Sequence, residues 1–329
     1  MPTVRIGVLG AARITNHALV KPTNRMHEVE ITAVAARDRG RAERYAAKRG
    51  IPRVLDSYDA LVNDPDIDAV YNPLPNGLHG RWTIAALEAG KHVLCEKPFT
   101  ANAAEAEEVA AVARRSGRVC MEAFHYRYHP LFDRAVEVVQ GGELGRVERI
   151  ETWMCIPLLP KGNIRWDLGL AGGTLMDVGC YAIHQLRSLA GEEPDVLSAQ
   201  ALERSPGVDR FASAEFAFPS GAAGGIQVSM LSRRVLSLGL RVRGDKGELR
   251  VFNATAPQAF HRFSIHNDGG RHREGFTRDA TYLFQLRAFA DAVLRGTPVL
   301  TGPDASIANM RVIDAVYRAA GMAPRMPTP

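Results

Sequence analysis

Short apolar runs alternate with amphipathic stretches over the first third of the chain. Val4–Leu9, Val29–Ala36, Ala69–Asn72, His92–Cys95 and Val119–Met121 are nearly continuous in hydrophobicity, the pattern of strands covered on both faces. Between them, helices are predicted from about Arg41 to Arg49, over Tyr58–Asn63 after Ser57, over Leu78–Ala89 and over the alanine-rich Asn102–Ser116. This alternation predicts parallel βαβ units and a doubly wound α/β sheet. After a helix at Leu131–Gln140 the period changes to two. Val147–Trp153, Val196–Leu202, Phe211–Phe218, Gly225–Leu231 and Leu236–Arg243 read as strands, and Gly244-Asp245-Lys246-Gly247 turns into Glu248–Val251. Consecutive strands without intervening helices predict an α+β domain with a large, mostly antiparallel open sheet. Domain limits are set at 1–122 and 123–329. Thr281–Arg295 and Asp304–Ala320 are closing helices that can pack back on the first domain.

The strand ends of the first domain carry the candidate chemistry. Val4–Leu9 runs into Gly10-Ala11-Ala12-Arg13-Ile14-Thr15, a strand–glycine turn–helix opening of the Rossmann dinucleotide type. The fingerprint is degenerate, with Ala12 and Thr15 at the second and third glycine positions. The next strand ends in Ala36-Arg37-Asp38-Arg39-Gly40-Arg41. An acid at this strand end would take a ribose hydroxyl; here the position is Ala36. Arg37 and Arg41 instead suit the 2′-phosphate of NADP, which is favoured over NAD. A register shift would make Asp38 the ribose acid. The loop Asn72-Pro73-Leu74-Pro75-Asn76 and the turn Glu96-Lys97-Pro98 end neighbouring strands on the same edge. Lys97 is thereby placed where open α/β sheets bind ligands. Gly10, Ala12, Arg13, Ile14, Arg37, Arg41, Pro73, Asn76, His79, Glu96 and Lys97 form the candidate cofactor set.

Composition changes this picture little. The chain has 329 residues, 46% hydrophobic and 23% charged, with a formal charge of +5. Acids and bases are interspersed, without a basic run interleaved with aromatics, so nucleic acid is not an expected partner. Four cysteines are widely spaced and lack C-x-x-C pairs, consistent with reduced, buried thiols. Val4 opens a strand without the charged and apolar regions of a secretory signal, and no apolar stretch reaches membrane-span length. A cytoplasmic location without membrane association is expected.

Glu96-Lys97-Pro98 after a Rossmann opening, Met121-Glu122-Ala123-Phe124-His125-Tyr126-Arg127-Tyr128-His129-Pro130, and Gly172-Gly173-Thr174-Leu175-Met176-Asp177-Val178-Gly179-Cys180-Tyr181 resemble the Gfo/Idh/MocA oxidoreductases over nearly the whole chain. The pattern is closest to the glucose–fructose oxidoreductase, dimeric dihydrodiol dehydrogenase and sugar ketoreductase group, because Tyr181 stands where many members have histidine. The resemblance implies Lys97 and Tyr181 as the catalytic pair, NADP as cofactor, a cis Lys97–Pro98 bond, and a homodimer or homotetramer formed through the open sheet.

Asp177, Tyr181 and His184 are spaced i, i+4, i+7 on a mostly apolar helix expected over about Gly173 to Ala190, so one face carries three polar groups that need partners. With Lys97 in play, Tyr181 reads as acid/base, Lys97 as the charge that stabilises an oxyanion, and Asp177 as an orienting carboxylate. His125, Arg127, Arg165, Trp166 and His184 are candidate substrate contacts. His184 is also the second candidate proton carrier, or a core histidine. His125 and His129 have metal-compatible spacing, but no third ligand is evident and no metal is expected. The activity expected is an NADP-dependent interconversion of a hydroxyl and a ketone on a sugar, sugar derivative or cyclic diol. The alternatives are an NAD-dependent glycosidase and a nucleotide-sensing regulator.

Overall fold

The computed structural model describes residues 2–158, 163–232 and 236–329. The chain forms two compact units. The first comprises the residues up to His125 together with Tyr282–Ile307, and the second comprises Tyr126–Thr281 with Ala308–Thr328. The chain thus leaves the first unit after His125 and returns to it at Tyr282.

The first unit is built on a parallel sheet of β1 (Val4–Leu9), β2 (Val29–Ala35), β3 (Arg53–Leu55), β4 (Ala69–Asn72), β5 (His92–Cys95) and β6 (Cys120–Glu122), in the order β3-β2-β1-β4-β5-β6. Ile6, Val8, Val34, Val70, Val93 and Leu94 are wholly buried, as strands covered on both faces require. The winding reverses between β1 and β4. In such sheets the crevice outside the carboxyl ends at this reversal is the ligand site. Gly10 and Pro73 stand there, and Lys97 follows the adjoining β5. At the outer edge, the Thr301 hydroxyl donates to Glu122 O (2.7 Å), and Glu122 N–H donates to Thr301 O (2.8 Å). β3 is a structural finding: three residues are too few to show a period.

The second unit holds an eight-stranded sheet. Its members are β7 (Val147–Cys155), β8 (Asp195–Ser205), β9 (Val208–Ala217), β10 (Ala223–Ser229), β11 (Ser237–Gly244), β12 (Gly247–Phe252), β13 (Arg262–Asn267) and β14 (Gly270–Glu274), in the order β14-β13-β12-β11-β7-β10-β9-β8. Only the β7–β10 pairing is parallel. β14 (Gly-Arg-His-Arg-Glu) has no apolar residue to reveal it. The helix Cys180–Ala190 packs on one face, where Thr152 of β7 donates to Ala182 O (2.8 Å). The other face carries a ladder of opposite charges: Arg149 bonds Glu151 (3.1 Å) and Glu215 (2.9 Å), and Glu248 bonds Arg241 and Arg250. Of these, Arg241–Glu248 joins the neighbouring strands β11 and β12, a kind of pair that contributes roughly 0.2–1 kcal/mol.

Among the described residues no helix is long and apolar enough to cross a membrane.

Candidate active site

Gly10 has φ +82°, its N–H donates to Ala35 O (2.6 Å), and a Cβ there would meet Leu74 Cδ2 at 3.0 Å. Glycine suits this positive φ, and a side chain there would crowd Leu74 in the loop that follows β4. Beyond the turn the chain forms a wide π-helical turn, Asn16–Val20, before Lys21–Thr23. Such turns recur at functional sites. The helix Arg39–Arg49 holds the turn from the side. Arg41 Nη2 donates to Ala11 O and the Tyr45 hydroxyl to Ala12 O, each at 3.0 Å.

Asp38 is the N-cap of that helix, accepting the Arg41 N–H at 2.5 Å. Its Oδ1 is engaged by the cap, which draws one oxygen of this exposed carboxylate to its own helix. Arg39 pairs with Glu43 (3.0 Å) and Asp56. Arg37 and Arg41 remain exposed at the rim, with Arg13 exposed and Ala12 and Ile14 half-buried nearby in sequence. Tyr58 bonds the Arg37 backbone, and burial pushes its phenol up.

On the β4–β5 side, Glu96 accepts the buried Tyr71 hydroxyl at 2.7 Å and its N–H donates to Asn72 O (3.0 Å). Burial first, and the Glu96 charge second, push the Tyr71 phenol well up. Glu96 is therefore fixed within the protein fabric and sets the backbone from which half-buried Lys97 projects. The Lys97–Pro98 bond is cis. His79 is 1% exposed, with Nδ1 2.7 Å from Pro98 O and Nε2 2.7 Å from Leu74 O. Both ring nitrogens face protein carbonyls, so the ring brackets the two loops and presents neither nitrogen to a nucleotide. Burial pushes its pKa down to about 4, and Lys97 acts in the same direction. Pro73 is buried and Asn76 half-buried in the bracketed loop. His125 stacks on Tyr282 with ring centroids 4.0 Å apart.

In the second unit the motif does not form one regular helix. Leu175–Gly179 is a π-helical turn, and the α-helix begins at Cys180. Asp177 lies on the wide turn, 8% exposed, with Oδ2 2.8 Å from Arg165 Nε. These two candidates are brought together. Tyr181 is 7% exposed, its ring 5.9 Å from that of Tyr126. His184 turns into the core: its Nδ1 lies 2.5 Å from the Tyr126 hydroxyl, and burial holds its pKa well below the usual value. The geometry thus makes it a buried neutral histidine rather than a substrate contact.

Arg127 bonds Asp133 (2.8 Å), and Trp166 lies under Arg204 (4.7 Å). Trp166 borders an open groove of about 440 Å³ with Asn163, Asp167, Ser205 and Val208. Residues 125–128 form a 3-10 turn and His129 Nδ1 accepts the Leu131 N–H (3.1 Å), so His125 and His129 do not share a helix face.

Residues 4–124 match the family described as "Oxidoreductase family, NAD-binding Rossmann fold", and residues 132–250 match the "GFO/IDH/MocA C-terminal domain". The chain is 39% identical to D-xylose 1-dehydrogenase (NADP(+)) 2 of Haloferax volcanii, over 95% of this chain and 96% of that one. The chain belongs to the Gfo/Idh/MocA oxidoreductase family. Among solved structures, a 3-ketoreductase from Actinomadura kijaniata in complex with NADP and TDP-benzene matches with TM-score 0.89 and 30% identity, covering 96% of this chain and 98% of that one. An aldose-aldose oxidoreductase from Caulobacter crescentus, complexed with glycerol, matches with TM-score 0.89 and 27% identity, over 97% and 98% of the two chains.

Within this Gfo/Idh/MocA chain the residues that sequence reasoning passed over are phenols. Tyr45 supports the glycine turn, Tyr58 bonds the Arg37 backbone, and Tyr71 fixes Glu96. A tyrosine in an apolar strand or at helical spacing reads as core. Its hydroxyl partner, drawn from up to 33 residues away, leaves no local signal.

Proposed function

We propose that the chain is an NADP-dependent oxidoreductase that interconverts a hydroxyl and a ketone on a sugar, sugar derivative or cyclic diol. The observation that carries the cofactor choice is the rim of the Gly10 turn. Arg37 and Arg41 are exposed there, while Asp38 has its Oδ1 drawn to a helix cap. A 2′-phosphate has two guanidinium groups to meet at this strand end, where a ribose-binding acid would otherwise stand and the residue is Ala36. The Gly10 turn, which lets a backbone approach closely, suits a pyrophosphate, with Ala12, Arg13, Ile14, Pro73 and Asn76 as further candidate contacts.

When bound, the nicotinamide supplies or accepts the hydride at the carbonyl carbon. The proton is the protein's task. Tyr181 gives its phenolic proton to the oxygen that becomes the hydroxyl, and takes it back in the reverse direction. The Lys97 ammonium stabilises negative charge on that oxygen. Asp177, oriented by Arg165, accepts a hydrogen bond from a neighbouring substrate hydroxyl. Trp166, His125 and Arg127 are the remaining substrate-side candidates. Both Lys97 and Tyr181 being present favours an enzyme over a nucleotide-sensing regulator. Reduction of NADP+ by a sugar favours net oxidoreduction over glycoside hydrolysis with retained nucleotide.

Arg41→Ala is expected to weaken NADPH binding about 10–100-fold, the loss of one charge-assisted hydrogen bond, and NADH binding by much less, through the lost support of Ala11 O alone. Fluorescence titration measures both; equal losses for the two nucleotides would contradict the assignment.

The uncovered sheet face, with Trp153, Phe252 and the charge ladder, is the proposed contact in a cytoplasmic homodimer or homotetramer. Sedimentation should return a dimer or larger for the wild type and a smaller species for Trp153→Arg. A monomeric wild type contradicts the proposal.

A further inference from the structure

Asp209 of β9 and Arg325, in the extended segment after the helix Pro303–Ala319, form an ion pair with side chains 0% and 2% exposed. Arg325 Nη2 lies 2.7 Å from Asp209 Oδ1, which also accepts the Tyr317 hydroxyl at 2.9 Å. Asp209 Oδ2 accepts the Leu175 N–H at 2.7 Å, and Arg325 Nε donates to Gly172 O at 2.8 Å. The guanidinium stacks on the Tyr317 ring, 4.1 Å from its centroid. Buried charges are costly unless paired and saturated with hydrogen bonds, and here those bonds fall on one bend of the chain.

That bend is Gly172–Gly173. Gly173 has φ +133°, and a Cβ there would lie 2.2 Å from Asp209 Oδ1 and 2.8 Å from Arg325 Nη2. The pair therefore grips the chain on both sides of Gly173, at Gly172 O and at Leu175 N–H. The bend in turn holds the candidate reacting residues. Gly173 O accepts the Asp177 N–H (3.0 Å), and Gly173 N–H donates to Arg165 O (2.9 Å). Asp177 and Arg165, partners through their side chains, are thus anchored through their backbones to the same residue, and Tyr181 follows one turn later.

We propose that Asp209 and Arg325 are positioning residues for the reaction, a buried brace that fixes the Gly172–Gly173 bend and with it Asp177 and Tyr181. The proposal rests on the reading of Asp177 and Tyr181 as reacting residues. Neither brace residue is assigned to substrate or cofactor. A displacement of the reacting groups by about 1 Å is enough to cost ~10²-fold in rate.

The test compares wild type, Arg325→Met, Arg325→Lys and Tyr317→Phe as full chains. Readouts are hydrogen–deuterium exchange, NADPH titration, and turnover of D-xylose and a panel of other aldoses with NADP+. For Arg325→Met, exchange at amides 172–181 should quicken at least ~10-fold, kcat should fall about 10²-fold, and NADPH affinity should be unchanged, because the Gly10 turn belongs to the other unit. Arg325→Lys, which keeps the charge, should recover part of both losses. Unchanged exchange at 172–181, or losses in NADPH affinity equal to those in kcat, overturn the proposal. If Arg325→Met does not fold, Tyr317→Phe decides: faster exchange confined to that segment supports the brace, and wild-type exchange overturns it. A wild type inactive on aldoses, keto sugars and cyclic diols alike refutes the functional reading separately, since the exchange result still judges the brace.

Discussion

Tyr181→Phe is expected to lower turnover about 10²–10⁴-fold, the contribution of a positioned general acid, while NADPH affinity stays at the wild-type value. The change removes one hydroxyl and keeps the ring that packs near Tyr126, so the fold is not disturbed. The hydroxyl belongs to the second unit, whereas the Gly10 turn and its arginines belong to the first. Binding and chemistry should therefore separate cleanly. Single-turnover reduction measured beside an NADPH titration checks both. Turnover within a few-fold of wild type would return the proton to another group, and His184 would be the first to examine. Its enclosure beside Tyr126 and its strongly lowered pKa argue against it.

Lys97→Met is expected to cost about 10²–10³-fold in kcat, the range for removing one preorganised group that stabilises an oxyanion. Methionine keeps most of the apolar stem and deletes the charge. NADPH affinity should fall by much less than kcat. Lys97→Arg should not restore activity, since a planar guanidinium does not reproduce a compact ammonium held by the Glu96–Pro98 turn. Equal losses in affinity and kcat would make Lys97 a cofactor anchor only. The fixed surroundings of this residue support the larger catalytic effect: Glu96 is bonded to Tyr71, and the Pro98 carbonyl lies 2.7 Å from buried His79 Nδ1.

The first unit was largely legible because its signals are local. Continuous apolar runs marked β4 and β5 to the residue, Gly10 marked the turn, and Pro98 ended the strand that presents Lys97. Tertiary geometry governed the rest. Asp38 looked like a possible ribose acid by position, but its side chain answers a closer demand, the unsatisfied N–H groups of the helix it caps. His79 and His184 looked like site residues by type and spacing, yet each is enclosed with partners that one-dimensional spacing cannot reveal. The regular helix expected across Gly173–Ala190 opens with a wide turn, next to a Gly172–Gly173 bend whose partners Asp209 and Arg325 are distant in sequence from it. The pairing of Arg165 with Asp177 was likewise invisible, although both had been singled out by type.

The central claim is that this sheet binds a nicotinamide dinucleotide through its 2′-phosphate. The most direct measurement is a fluorescence titration of the purified protein with NADPH and, separately, with NADH, each at the same ionic strength. The account predicts NADPH binding tighter by at least ~10-fold, a preference that disappears in Arg41→Ala. NADH binding as tightly as NADPH would contradict it.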